Sequence, residues 1–151
     1  MKNSQYNKNI KTPSYTQDSV TKALHLLREV GFYSLQQLDW VGKTDDRWLA
    51  FEIKEKELYK PGPNFPQWGT GLNGNQLYLR TNLLKELGLR TYLLTFAKGT
   101  NEVYGAYLDE LEEKGDFFDT KNNIRIYPIQ NYNKGFEAVM EDLNNGNQNS
   151  K

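Results

Sequence analysis

Val20, Ala23, Leu24, Leu27 and Val30 recur at helical spacing, which predicts a first helix opening near Thr16 and stopping at Gly31. Asp18, Lys22, His25 and Glu29 share its opposite, polar face. The period then shortens. Residues 36–42 and 48–55 read as two strands joined by the turn-like stretch Lys43-Thr44-Asp45-Asp46-Arg47, together a hairpin. Because strand side chains alternate, Trp48, Ala50, Glu52 and Lys54 fall on one face and Ile53 on the other. Residues 60–71 hold three prolines and three glycines and predict a long irregular loop. Helical spacing resumes over 75–87 up to Gly88, and 91–96 is apolar and β-prone enough for a buried strand. A helix between two strands implies a crossover. Strands are also expected at 103–107 and 124–129, separated by a charged, aromatic-bearing insertion that includes Phe117 and Phe118. Phe136, Val139, Met140 and Leu143 signal a last helix, and no internal repeat interrupts the series.

This order of elements predicts an α/β fold with a central mixed sheet flanked by helices. The 151 residues, 37% of them apolar and 13% aromatic, suffice for one core and are too few for two ordinary domains. We therefore expect a single domain over 16–143, a flexible polar arm over 1–15 and a disordered, asparagine-rich tail over 144–151. No apolar run approaches the roughly 18 residues that cross a bilayer, and the polar start lacks a secretory apolar stretch, so the expectation is a cytoplasmic protein with no membrane partner.

Composition narrows the chemistry. The chain has no cysteine and one histidine, which excludes disulfides, thiolate sites and cysteine nucleophiles, and leaves any metal to oxygen ligands. Nineteen basic and nineteen acidic residues cancel, so attraction for nucleic acid would require a local basic surface. Asp39 lies in the first strand of the hairpin and Glu52-Ile53-Lys54 in the second. If the hairpin brings Asp39 beside Glu52, two carboxylates converge where a hard cation such as Mg²⁺ could sit, with Lys54 poised to orient or activate a water. Phosphodiester hydrolysis needs this equipment: a metal to polarise the phosphate, and a cation to offset the developing charge. The competing reading of Glu52 and Lys54 is a charged pair on a solvated strand face, worth little energetically. Asp45 and Asp46, beside Thr44 and Arg47, fit hairpin-turn residues more simply than ligands. His25 reads as solvated and Asp18 as a first-turn acid. Trp68, in the proline- and glycine-rich loop, could stack on a base or lie against a sugar-phosphate backbone.

The segments Leu38-Asp39-Trp40 and Leu49-Ala50-Phe51-Glu52-Ile53-Lys54, with their apolar lead into Glu-x-Lys, resemble the PD-(D/E)XK nuclease superfamily. The similarity continues through Gly74-Asn75-Gln76, where a glutamine opens the helix after the active-site strand, and covers about residues 16–96. The family usually has proline before the aspartate, and this chain has Leu38 there. The resemblance implies a restriction-endonuclease-like core, with Mg²⁺ or Mn²⁺ held by Asp39, Glu52 and the backbone carbonyl of Ile53. It implies that Lys54 is catalytic and that Gln76 lines the cleft. It also implies an acid near the start of the first helix, for which Asp18 is a nearer match than Glu29. Arg80, one turn after Gln76, is then either a phosphate contact or a solvated side chain. Compact members such as Holliday-junction resolvases and phage-encoded nucleases point to a DNA endonuclease, acting on branched or recombination-intermediate DNA as a homodimer. The alternatives are an RNA nuclease of the same fold, and a non-catalytic nucleic-acid-binding or protein-interaction module.

Overall fold

The computed structural model describes residues 16–31 and 39–146. The chain divides into two compact units, Met1–Leu35 and Gln36–Lys151. The arm over 1–15, the predicted start of the first strand at 36–38 and residues 147–151 lie outside the described residues.

The first unit contains α1 (Gln17–Glu29), whose limits match the apolar spacing. Thr16 caps it, its hydroxyl oxygen accepting from the Ser19 N–H at 3.3 Å, and Gly31 takes up a positive φ of 96° just past its end. Asp18 pairs with Lys22 at 2.7 Å and His25 faces Glu29 at 4.0 Å, so the polar face is laced by exposed pairs one turn apart.

The second unit is an α/β structure built on a mixed sheet. Strand β1 (Trp40–Lys43) runs antiparallel to β2 (Trp48–Lys56). The turn between them closes through the Thr44 N–H on the Arg47 carbonyl, at 2.9 Å, and the Thr44 hydroxyl on Asp46, at 2.7 Å. Asp45 and Asp46 are turn residues, as expected. Beyond β2 lie β3 (Gly69–Asn73), α2 (Gly74–Tyr78), a π turn (Leu79–Leu83) and the short α3 (Leu84–Glu86). They lead into β4 (Arg90–Ala97), which is parallel to β2 and makes the expected crossover. Strand β5 (Val103–Tyr107) pairs antiparallel with β4, α4 (Leu108–Lys114) follows, and the two-residue β8 (Asn133–Lys134) closes the order β1-β2-β4-β5-β8. Helix α5 (Phe136–Asn145) ends the described chain.

Three expectations require correction. A single sheet flanked by helices was expected, whereas a second, three-stranded antiparallel sheet joins β3 to β7 (Ile124–Pro128) and β6 (Phe117–Asp119), in the order β3-β7-β6. Its first strand lies partly in the stretch that composition marks as loop. Glycine is needed there for tertiary reasons: a Cβ on Gly69 or Gly71 would come within 2.5 Å of Ile126 or Ile124. The helix over 75–87 keeps its span and its stop, with Gly88 at φ 74° and the Leu89 N–H reaching back to the Leu84 carbonyl at 2.9 Å. Its middle, however, widens into the π turn. Finally, Asn144 and Asn145 belong to α5 rather than to a disordered tail, because the apolar stripe ending at Leu143 holds the last turn against the sheet.

The central sheet buries both faces. On one, Leu49, Tyr92, Tyr107 and Val139 form a cluster under α5, with the Tyr92 and Tyr107 rings edge-on at 4.9 Å. On the other, Leu93, Ala106 and Leu108 pack with Leu72 and Tyr127 of the second sheet and with Leu111. Ala50, Glu52 and Lys54 belong to this second face, since Glu52 is registered with Leu93 across the parallel ladder. The acidic position therefore looks into the core.

Candidate active site

Glu52 sits in the middle of β2 with 2% of its surface exposed. Period two puts Lys54 on the same side, and its Nζ stands 3.3 Å from Glu52 Oε1. The same ammonium donates to Gln76 Oε1 at 2.9 Å. Gln76 is held at the opening turn of α2, where its backbone N–H donates to the Asn73 side chain at 2.9 Å. One turn on, Arg80 emerges from the π turn and donates through Nη2 to Glu52 Oε2, with a side chain only 1% exposed. Single π turns inside helices recur at functional sites, because the extra residue re-aims the side chains that follow. One carboxylate thus faces two cations, leaving a formal surplus of one positive charge in an enclosed place.

Asp39 reaches the neighbouring position. It lies one residue before β1, not within the strand as the sequence pattern predicts, and its Oδ2 accepts from the Ile53 N–H at 2.8 Å. A strand residue presents its N–H and C=O along the same edge, so the Ile53 carbonyl also faces the Asp39 edge. Asp45 and Asp46 stand at the closed end of the hairpin, away from Asp39.

The predicted residues separate clearly. Glu52, Lys54 and Gln76 come together, and Asp39 is fastened to the peptide between Glu52 and Lys54. Arg80, expected as a phosphate contact or a solvated side chain, is not solvated: it is buried and spends Nη2 on Glu52. Trp68 lies at the entry to β3 with its ring exposed. Asp18 faces Lys22 and His25 faces Glu29 within α1, in the other unit. Among the described residues no three His, Cys, Asp or Glu side chains form a metal cage. Mg²⁺ needs none, since it binds through one or two carboxylates and keeps waters, so two carboxylates and a peptide oxygen are a compatible donor set.

Lys56 escaped the sequence reading, although the alternation that pairs Glu52 with Lys54 continues to it. Its Nζ donates to the Gly71 carbonyl at 3.1 Å and lies 5.0 Å over the Tyr59 ring. Burial, and then the Lys54 charge, lower its pKa to about 8. In the unfolded chain the amine holds its proton to about 10.4. The unfolded state therefore binds more protons between these values, and stability must rise with pH across that window. We expect the melting temperature to climb from pH ~8 to pH ~10 and then fall, as the unfolded tyrosines ionise near pH ~10 while buried Tyr92, Tyr127 and Tyr132 resist it. Lys56→Met should flatten the climb, as thermal melts along a pH series would reveal; a climb of parental size in the variant would assign it to another group.

Comparison of the chain with protein-family models, with curated proteins and with solved structures gives no match. The geometry by itself defines an α/β unit in which a core carboxylate is enclosed by a lysine, an arginine and the amide that holds the lysine.

Proposed function

We propose that the protein is a metal-dependent nuclease with a restriction-endonuclease-like core, hydrolysing phosphodiester bonds in DNA. The observation that carries this reading is the convergence of Glu52, Lys54 and Gln76 beside an Asp39 carboxylate fastened to the intervening peptide. Asp39, Glu52 and the Ile53 carbonyl would hold Mg²⁺ or Mn²⁺. When bound, such a cation polarises a phosphate and makes water a better nucleophile at neutral pH. Lys54 stands where an ammonium offsets charge developing on the phosphate oxygens, and Gln76, by accepting from it, limits its rotamers. Arg80 orients Glu52 by donating to its Oε2. The proposal extends to internal cuts in branched or recombination-intermediate DNA by a homodimer.

A second reading has its own observation. Both oxygens of Glu52 are engaged by cations and the group is almost closed to solvent, as in a structural ion pair of a non-catalytic module. Incubation with linear, single-stranded and branched DNA and with RNA, in Mg²⁺, Mn²⁺ or EDTA, separates the readings. Metal-dependent scission supports the nuclease and identifies the sugar; no scission of any substrate supports the module.

Lys54→Ala should lower the single-turnover rate in Mg²⁺ by roughly a hundredfold to a thousandfold, the usual effect of removing one preorganised donor to developing charge. DNA affinity in Ca²⁺ should change little. A variant that cuts at the parental rate at saturating DNA but binds much more weakly would make Lys54 a phosphate anchor instead.

A further inference from the structure

Behind the site, on the far side of Arg80, lies a cleft of about 290 Å³ between the helical run over 74–86, the start of β4 and α4. Its floor includes Arg80, Thr91 and Leu108, all buried, and its mouth includes the exposed Asn82, Lys85 and Glu112. Arg80 donates to Glu52 through Nη2 alone; among the described residues its Nε and Nη1 have no partner, although its side chain is 1% exposed. Thr91, 3% exposed and on the same floor, has an equally unpartnered Oγ1. Buried donors left unmade cost about 1–3 kcal/mol each, and more when charged. Two such groups on one cleft floor therefore mark a place where an acceptor belongs.

Charge selects the acceptor. Glu52 is shared between Arg80 and Lys54, so the enclosed cluster keeps one positive charge in excess. Lys85 adds a second cation at the mouth, while Arg90 is tied to Asp109 through both of that carboxylate's oxygens. Glu112 is the opposing acid, and burial raises its pKa. The cleft lies at the small end of the range for ligand pockets, which excludes a large organic molecule.

We propose that this cleft is an oxyanion site that takes a phosphate group, received by Arg80 and Thr91 on the floor and Lys85 at the mouth. The site stands whether or not the protein cleaves nucleic acid, because neither its donors nor its test requires turnover. The phosphate could be free, or carried on the end of a nucleic acid.

The full chain in EDTA would be titrated with inorganic phosphate, against chloride at matched ionic strength, following melting temperature and heat. We expect a saturable rise in melting temperature specific to phosphate. Thr91→Val keeps the side-chain volume and removes a hydroxyl without a partner, so it should fold as well as the parent yet bind phosphate about tenfold more weakly. Lys85→Ala, at an exposed position, should weaken binding several-fold, and Glu112→Gln should tighten it. Duplex oligonucleotides with and without a terminal phosphate identify the source: tighter binding of the phosphorylated end, lost in Thr91→Val, assigns it to nucleic acid, whereas equal binding assigns it to free phosphate. No phosphate-specific stabilisation of the parent, or stabilisation unchanged in both Thr91→Val and Lys85→Ala, would overturn the proposal.

Discussion

Glu52→Gln is expected to destabilise the fold by about 3–5 kcal/mol, the cost of removing one partner of a buried ion pair and leaving the other charge uncompensated. The guanidinium of Arg80 has 1% of its side-chain surface exposed, so water cannot replace the lost carboxylate oxygen. Lys54 loses the same counter-ion and keeps only Gln76, at 2.9 Å. Arg80→Met alone should cost a comparable amount by leaving a carboxylate in the core beside a partly exposed ammonium. The double variant Glu52→Gln/Arg80→Met should recover most of the loss, because an apolar side chain of similar length can fill the same space. Urea denaturation of the three variants and the parent measures the coupling. Additive losses would mean that the two side chains act independently, and that the pair does not hold the helical run to the sheet. Read from the sequence, Glu52 is a metal ligand or half of a charged pair on a solvated strand face, and neither role packs the core. Its burial reverses that expectation, so loss of cleavage in a Glu52 variant is informative only where the variant is shown to be folded.

Asp39→Asn is expected to do the opposite, abolishing cleavage while leaving the fold nearly untouched. Asp39 is exposed and contributes one hydrogen bond, to the Ile53 N–H, which the asparagine carbonyl can still accept. The stability change should therefore stay within about 1.5 kcal/mol. The lost anionic ligand, by contrast, removes several kcal/mol of charge stabilisation, and at about 1.4 kcal/mol per decade the rate should fall on the order of a thousandfold. Calorimetric titration with Mn²⁺ or Mg²⁺ should show clearly weakened binding by Asp39→Asn and parental binding by Asp45→Asn and Asp46→Asn, whose side chains serve the turn. Parental cleavage by Asp39→Asn, or weakened metal binding in the turn variants alone, would remove Asp39 from the site.

These two acids show how far the linear pattern reaches. The hairpin, the limits of α1 and β5, the stops at Gly31 and Gly88, and the crossover from β2 to β4 all follow from signals spanning a few residues: period, turn chemistry, and the one residue type that takes a positive φ freely. The sharing of one face by Glu52 and Lys54 belongs to the same class, since it needs only the alternation of a strand. Which way that face points does not. It is turned into the core because α2, the π turn and the second sheet settle on it, and the second sheet depends on pairing residues 69–73 with 124–128, far apart along the chain. No local pattern announces that pairing: Gly69 and Gly71 read as loop until Ile126 and Ile124 are seen against them. Arg80 and Lys56 follow the same rule. Their charges suggest solvent, and only the widened helical turn and the neighbouring Gly71 carbonyl draw one into an ion pair with Glu52 and hold the other half-buried. The sequence by itself determined which elements form and which side chains share a face, because both are set by backbone periodicity. The tertiary structure decided which charges are buried and what they meet, because burial is a property of the elements that close over a face.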